Sequence, residues 1–160
     1  MAAFSAVLVS TLLIIYIWAV ERRLARFVIF ATIVSSVLTV AAFMAEEKIY
    51  IKIQPSLFNF CFSAVLLGGL LTGRTMMREF FKSQFDLPDW VWFQLSLRWG
   101  LFFALATIAN ELAWRGLSDD DWVSFRVLVM APATGVFMLA QLPITMRGLR
   151  EEAAAMLQAD

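Results

Sequence analysis

The chain contains no histidine and only one cysteine, Cys61, in 160 residues. Without imidazole side chains, histidine general bases and most zinc or haem ligand sets are excluded. A single cysteine cannot form an intramolecular disulfide, and its place inside an apolar stretch is typical of a small buried side chain. The sequence therefore predicts no metal, no cofactor and no enzyme built on a nucleophile–base pair.

Charged residues are also scarce, at 16% of the chain against 61% hydrophobic residues. A soluble protein carries about 25% charged residues. Uncharged stretches occupy residues 1–20, 27–45, 53–73 and 127–146, and residues 90–114 contain only Arg98 and Glu111. Each stretch approaches the roughly 20 apolar residues that cross a bilayer as a helix. The pattern predicts an all-α, polytopic transmembrane bundle of about five spans in one domain, at residues 3–20, 27–45, 55–73, 90–114 and 122–146, with a short tail at 151–160.

Basic residues are distributed unevenly over the connections between these stretches. One set of connections carries eight of them: Arg22, Arg23, Arg26, Arg74, Arg78, Lys82, Arg147 and Arg150. The opposite set carries three: Lys48, Lys52 and Arg115. Since basic connections face the cytoplasm, the pattern predicts an outer N-terminus and a cytoplasmic C-terminus. Residues 1–20 lack a basic leading region and are expected to be a retained span rather than a secretory signal.

Residues 74–85 are expected to form a short amphipathic helix at the cytoplasmic interface. Arg74, Arg78 and Lys82 recur every four residues and form a basic stripe, whereas the apolar side holds Met77, Phe80, Phe81 and Phe85. Such a helix can lie in the headgroup plane with its basic face toward anionic lipid. A plain extension of the third span is the alternative. The lipid bilayer accounts for these charges, so nucleic acid is not an expected partner.

Two features of the third and fifth spans indicate how helices pack. Gly69 and Gly73 form a pair of small residues four apart, which predicts close helix approach. Intramolecular packing is favoured over dimerisation, and a homo-oligomer is left open. Pro132 frees the carbonyl of Leu128 and is expected to kink the fifth span. Packing is favoured over a transporter binding site as the reason for this kink.

Three charged residues lie within the spans. Arg98 is about two turns from the cytoplasmic end of the fourth span and is expected to extend back to that interface. Glu111 and Arg126 lie at similar depth near the outer ends of the fourth and fifth spans. We expect them to form an ion pair, because an unpaired buried charge costs several kcal/mol. Arg115, one turn beyond Glu111, is the alternative partner, in a contact of small energy.

Asn110 and Gln141 are uncharged polar residues inside spans, and they are expected to link helices by hydrogen bonds rather than to bind substrate. A proton-coupled transporter would need several deep carboxylates, and Glu111 is the only carboxylate within a span. This scarcity disfavours proton-coupled transport.

From about Tyr50 onward, short motifs follow one another in a characteristic order. They are Tyr50-Ile51-Lys52-Ile53-Gln54-Pro55-Ser56, Leu66 to Leu70, Leu87-Pro88, Trp92, Leu95, Leu97, Trp99, Phe102-Phe103, Asn110-Glu111, Trp122 to Arg126, Pro132 and Ala140 to Pro143. In this order and spacing the chain resembles the intracellular septation protein A family, also called the YciB family, of bacterial inner membrane-spanning proteins. Residues 1–45 match that family only in character, and Gln54 replaces the second lysine of its Lys-x-Lys-Pro motif.

This resemblance implies a non-enzymatic inner-membrane protein with a role in envelope biogenesis, envelope integrity and septation. It further implies contacts with division and cell-wall synthesis proteins as partners. The resemblance supplies no catalytic residues. Together with the physical arguments, it indicates structural or interaction roles for Lys52, Pro55, Gly69, Gly73, Arg98, Trp99, Asn110, Glu111, Trp122, Arg126, Pro132 and Gln141.

A small transporter or lipid-handling protein is the alternative function, with a cavity near Arg98, Asn110 and Glu111. A continuous polar cavity that reaches the membrane midplane between the fourth and fifth spans would favour transport. Solid packing at that place would favour a protein that acts through its contacts.

Overall fold

The computed structural model describes residues 26–45, 48–84 and 86–159, and this part of the chain is α-helical without a strand. Helix formation satisfies backbone polar groups locally, as a hydrocarbon environment requires. The elements are α1 (Arg26–Ala45), α2 (Lys48–Leu71), α3 (Met76–Phe81), α4 (Asp89–Gly116), α5 (Asp119–Phe125), a π-helical turn (Arg126–Met130), α6 (Ala131–Ala140) and α7 (Leu142–Ala159). The predicted all-α fold class is confirmed.

Three helical runs in the described residues are long and apolar enough to cross a membrane. They are Ile49–Leu71, Asp89–Gly116 and the composite run Asp119–Gln158. They correspond to the third, fourth and fifth expected spans. Within α1, at the second expected span, Ile29–Leu38 forms a shorter apolar helix. The expected first span, residues 3–20, lies outside the described residues.

Helix α2 begins at Lys48, well before the expected start at residue 55, and contains Pro55 in its interior. Proline lacks an N–H group, so the carbonyl of Ile51 has no partner four residues later and the turn around it is loosened. Membrane helices tolerate proline when neighbouring helices donate to the backbone that it disturbs. The Asn110 amide donates at 2.9 Å to the Lys52 carbonyl, the next carbonyl after the one that Pro55 leaves without a partner.

The packing of α2 against α4 forms the centre of the described bundle. Gly100 is buried on α4, and its carbonyl accepts a hydrogen bond from Ser63 Oγ of α2 at 2.9 Å. The glycine lets the α4 backbone approach closely enough for this contact. Phe62 of α2 is 1% exposed, and its ring centroid lies 5.3 Å from that of Phe103 and 5.0 Å from that of Phe30. Aromatic and backbone contacts therefore join α1, α2 and α4.

Gly69 and Gly73 do not act as the predicted helix-packing pair. Helix α2 ends at Leu71, and Gly73 lies beyond it with a φ of 74°. The Arg74 N–H bonds to the Gly69 carbonyl at 2.8 Å and the Gly73 N–H to the Leu70 carbonyl at 3.1 Å. These two bonds define a Schellman turn that closes the helix. A Cβ at Gly69 would overlap with Met76 Cγ, so this glycine makes room for the chain that follows it.

We expect Gly73→Ala to lower the free energy of unfolding by about 1 kcal/mol, because a left-handed backbone disfavours a Cβ atom. Gly68→Ala is the matched control: it lies in the same helix, and a Cβ there meets nothing within 4 Å. The control should be neutral or slightly stabilising, since alanine favours helix. Unfolding by sodium dodecyl sulfate in mixed micelles measures the free energy of unfolding of both variants. Equal stabilities would contradict the assignment of the turn.

The expected helix at residues 74–85 is present over Met76–Phe81. Phe80 is buried, and its ring stacks on Phe30 of α1 with centroids 5.4 Å apart. Met77 and Phe81 pack against a buried cluster on and before α4, formed by Leu87, Val91, Trp92 and Leu95. The apolar side of α3 therefore contacts the protein, whereas Arg78 and Lys82 are exposed. That the basic side meets anionic lipid stays a prediction.

The last helical run starts at a well-defined N-cap. Ser118 Oγ accepts a hydrogen bond from the Asp121 N–H at 3.2 Å. Asp119, Asp120 and Asp121 fill the first turn, where negative charge is stabilised by the exposed N–H groups and the helix dipole. The Ser118 cap and the three aspartates thus determine where α5 begins after the end of α4.

The disturbance expected at Pro132 takes the form of the π-helical turn. The Ala131 N–H bonds to the Arg126 carbonyl, five residues earlier, just before the proline. Because Pro132 has no N–H group, the α-helical hydrogen bond to the Leu128 carbonyl cannot form. π turns of this kind are frequent at functional sites.

Candidate functional site

A polar cluster joins α2, α4 and α5 near one end of the bundle. Asn110 is 2% exposed and Ser56 is 4% exposed. The Asn110 Nδ2 group donates to Ser56 Oγ at 2.8 Å and to the Lys52 carbonyl at 2.9 Å. Asn110 Oδ1 accepts from Trp122 Nε1 at 3.2 Å. The Asn110 amide thus bonds to α2 through both of its N–H donors and to α5 through its oxygen. Only one lone pair of that oxygen is left unused.

An ion pair lies beside this cluster, between Lys52 Nζ and Asp119 Oδ1. The Lys52 side chain is 20% exposed and the Asp119 side chain is 70% exposed. The pair therefore lies at the boundary between the cluster and solvent, where its net contribution is small. It links the start of α2 to the start of α5. The predicted role of Asn110 in linking helices is thus supported by three contacts, and Lys52, Pro55 and Trp122 are brought to the same place.

Glu111 pairs with Arg115 rather than with Arg126, so the predicted Glu111–Arg126 ion pair is wrong. Glu111 Oε2 lies 3.0 Å from Arg115 Nη2 and accepts from Arg115 Nε at 3.1 Å. The two residues are one turn apart on α4 and need no tertiary contact to meet. The Arg126 guanidinium carbon instead lies 5.1 Å from the ring centroid of Trp122, a cation–π contact.

We expect a double-mutant cycle of Glu111→Gln with Arg126→Gln to show a smaller coupling than the cycle of Glu111→Gln with Arg115→Gln, because Glu111 and Arg126 do not touch. The same cycle with Arg115→Gln should show a coupling of about 0.3–0.5 kcal/mol, typical of an exposed pair one turn apart on a helix. Free energies of unfolding in mixed micelles give both values. A larger coupling to Arg126 than to Arg115 would contradict this geometry.

A cleft of about 530 Å³ lies next to the polar cluster, between α2, α4 and the last helical run. Its lining in the described residues is Ile51, Gln54, Pro55, Phe58, Asn59, Phe102, Phe103, Ala106, Asn110, Arg126, Met130, Ala131 and Thr134. Phe102 and Phe103 lie at the middle of α4, so the cleft extends about halfway along that helix. The space between these helices is neither packed solid nor lined continuously by polar groups.

Arg98 and Gln141 meet outside this cleft. Arg98 is exposed, and its Nη1 lies 3.5 Å from Gln141 Oε1, a long hydrogen bond. Gln141 is buried and lies at the break between α6 and α7, where its Nε2 donates to the Phe137 carbonyl at 3.0 Å. Pro143, two residues on, cannot continue the backbone bonding. Gln141 therefore stabilises the broken helix itself, and its link to Arg98 is secondary.

Trp99 lies one residue beyond Arg98 but faces the aromatic core. Its ring centroid lies 4.9 Å from that of Phe137 in an edge-to-face contact. Phe102 stacks on the same Phe137 ring with centroids 4.2 Å apart. Phe137 thereby connects α6 to α4. Pro132 is exposed and has no part in this contact.

The other end of the bundle has its own set of contacts, which sequence reasoning does not single out. Trp90 Nε1 donates to Glu151 Oε2 at 3.1 Å, and Arg147 Nε donates to Glu151 Oε1 at 2.8 Å. Gly148 packs on α4 so closely that a Cβ would lie 2.8 Å from Val91 Cγ2. The contacts of Trp90 with Glu151 and of Val91 with Gly148 hold the middle of α7 against the start of α4, whereas the Arg147–Glu151 pair lies within α7.

Ser56, Ser63 and Gly100 are further residues that sequence reasoning missed. Ser56 and Ser63 are seven residues apart on α2, which places them on one face two turns apart. Small polar residues at this spacing in an apolar helix are a usable signal of a helix-packing face. Gly100 has no such signal, because its importance depends on which helix lies opposite.

Among the described residues, no group of three or more His, Cys, Asp or Glu side chains is arranged to hold a metal ion. The arrangement can do two things chemically. The polar cluster can fix three helices in register. The cleft can hold a molecule that has a polar and an apolar part.

Comparison with known proteins places these features in a family context. The family model described as intracellular septation protein A matches residues 1–152. The match includes residues 1–45, where the sequence motifs agree only in character. No solved structure matches the chain.

Curated relatives named inner membrane-spanning protein YciB are also similar. The relative from Rhizobium meliloti (strain 1021) is 35% identical over 97% of this chain and 71% of its own length. Those from Sinorhizobium fredii and Brucella melitensis biotype 1 are 36% and 39% identical, over 86% and 79% of this chain. The chain covers 66% and 64% of those two relatives.

Proposed function

This chain belongs to the intracellular septation protein A family, and we propose that it is a non-enzymatic protein that supports envelope biogenesis, envelope integrity and septation through contacts with other membrane proteins. The observation that carries the proposal is the family match over residues 1–152. Relatives carry the name of an inner membrane-spanning protein, which agrees with the apolar helices.

The exposed face of the last helical run supports action through contacts. Only 6% of the most apolar window of Asp119–Gln158 is buried inside the protein. Leu128 is 71% exposed, Val136 67% and Leu139 61%. Such a face contacts lipid or the helices of another protein. We propose that division and cell-wall synthesis membrane proteins are the partners.

We further propose a multi-pass arrangement in the inner membrane, with the N-terminus periplasmic and the C-terminus cytoplasmic. Eight basic residues against three on the two sets of connections support this orientation. Under it, the polar cluster of Asn110 lies toward the periplasm and the Trp90–Glu151 contacts lie toward the cytoplasm.

Proximity labelling in growing cells tests both proposals. A biotin ligase fused to the C-terminus needs cytoplasmic ATP, so labelling is expected only if that terminus is cytoplasmic. Division and peptidoglycan-synthesis proteins should be enriched over a fusion to an unrelated inner-membrane protein of equal abundance. Leu139→Trp should reduce the enrichment if α6 contacts partners, whereas Leu105→Trp, equally exposed on α4, is the matched control. Labelling without enrichment of these proteins would overturn the proposed contacts.

A further inference from the structure

The cleft beside the polar cluster is elongated along the helix axes. On α4 its lining extends from Asn110 to Phe102, and on the last run from Arg126 to Thr134. Eight residues of helix correspond to about 12 Å in each case. Asn110 and Arg126 both lie close to the short connection between α4 and α5, so they are at the same end of the cleft. Phe102 and Phe103 lie at the other end. The shape and polarity fit an elongated amphiphile better than a compact solute.

The polar end of this cleft has a positive charge without an acidic partner among the described residues. Of the carboxylates near this end, Glu111 pairs with Arg115 and Asp119 with Lys52, Asp121 accepts a hydrogen bond from Ser118, and Asp120 lies exposed in the first turn of α5. Arg126 contacts the Trp122 ring, which orients the guanidinium without neutralising it. A guanidinium at membrane depth requires an anion or access to water. It lies about two turns, or 10 Å, from Asp119 at the start of α5, within reach of the headgroup region.

The π-helical turn contributes to the same wall. It begins at Arg126 and ends at Met130, and both residues line the cleft. π-helical turns inside α-helices are found more often at functional sites than elsewhere. Below this turn the lining is formed by Phe58 of α2 with Phe102 and Phe103 of α4, together with the polar side chains of Asn59 and Thr134.

We propose that this cleft binds one anionic membrane phospholipid, with its phosphate on Arg126 and an acyl chain along Phe58, Phe102 and Phe103. A guanidinium forms strong, charge-assisted hydrogen bonds with phosphate oxygens. Basic pockets between membrane helices recognise lipid headgroups in this way. The proposal is independent of the septation role, since it rests on the cleft and its charge alone.

Native mass spectrometry of the full chain, released from nanodiscs of phosphatidylglycerol mixed with phosphatidylcholine, tests this proposal. One phosphatidylglycerol molecule is expected to remain bound in preference to phosphatidylcholine. Arg126→Gln should reduce its binding about tenfold or more, because charge-assisted hydrogen bonds are lost. Ala131→Trp, which fills the cleft from an exposed position, should reduce binding similarly. Arg126→Lys should retain binding in part.

Arg115→Gln is the matched control, since Arg115 is an exposed cation near the same end and does not line the cleft. Its lipid binding should equal that of the unaltered chain. Equal losses in Arg126→Gln and Arg115→Gln would show charge attraction without a site and would overturn the proposal. Unchanged binding in Arg126→Gln and Ala131→Trp would also overturn it, as would retention of neutral lipid to the same extent. Should Arg126→Gln fail to fold, the lysine and tryptophan variants still decide.

Discussion

Gly100→Leu is expected to disrupt the packing of α2 against α4 and to lower the free energy of unfolding by more than about 3 kcal/mol, beyond the usual range for overpacking. Even a single Cβ at Gly100 would lie 2.6 Å from Leu67 Cδ2 and 2.7 Å from Leu67 Cγ. Alanine can be accommodated in part by movement of the Leu67 side chain, at a cost of about 1–3 kcal/mol. Leucine adds three more carbons to the same space and would separate the helices, which also removes the Ser63–Gly100 hydrogen bond.

Gly135→Leu is the control for this prediction, because a Cβ at Gly135 meets nothing within 4 Å. It also lies within a membrane helix, so lipophilicity and helix propensity change in the same way. Unfolding in mixed micelles and the yield of monodisperse protein measure both variants. If the two leucine variants proved equally stable, the α2–α4 packing described here would be wrong.

Asn110→Ala is expected to be the second most harmful change, with a loss of about 2–4 kcal/mol, since it leaves a buried donor unsatisfied and opens a cavity. Trp122 Nε1 would lose its acceptor, and Ser56 Oγ and the Lys52 carbonyl would lose the amide donor. Asn110→Leu would fill part of the space but would still leave the indole N–H without a partner.

Trp122→Phe separates this explanation from simple loss of volume. Phenylalanine removes the indole N–H, so Asn110→Leu should cost less in the Trp122→Phe background than alone. A double-mutant cycle on the free energy of unfolding gives the coupling, expected at about 0.6–1.7 kcal/mol from membrane hydrogen bonds. Asn59→Ala is the control, because Asn59 lines the cleft but makes no hydrogen bond with the described residues. Zero coupling would contradict the role assigned to the amide.

The sequence predicts the fold class well, because the length and spacing of uncharged stretches depend only on the thickness of the bilayer. Helix boundaries are less predictable: Pro55 is expected at a helix start but lies inside α2, where the Asn110 amide donates to the Lys52 carbonyl three residues before it. Asn110 is predictable as a helix-linking residue, because few polar side chains lie within spans. Its three partners are not predictable, since they depend on how the helices are rotated against one another.

The same limit explains the errors at Glu111 and Gly73. Glu111 and Arg126 lie at similar depth in the membrane, which allows a pair between them. Whether they meet depends on how each helix is rotated about its axis, whereas Arg115 lies one turn from Glu111 on the same helix. Gly69 and Gly73 have the spacing of a packing motif, yet the helix ends between them. Gly100 follows no motif at all. The role of Gly100 and the partners of Asn110 depend on which helix lies opposite, so they are found only from the structure.

The last helical run is held near its start and in the middle of α7 by separate sets of contacts. Trp122 and Asp119 attach its start to α4 and α2, and Gly148 and Glu151 attach α7 to the start of α4. Between them lie the π-helical turn and the break at Gln141, with Phe137 as the main contact to α4. The stretch between these two attachments can therefore bow sideways while both attachments remain in place. Such bowing would widen the cleft toward the bilayer without any domain motion, so hydrogen exchange should be faster between residues 126 and 141 than in the middle of α4.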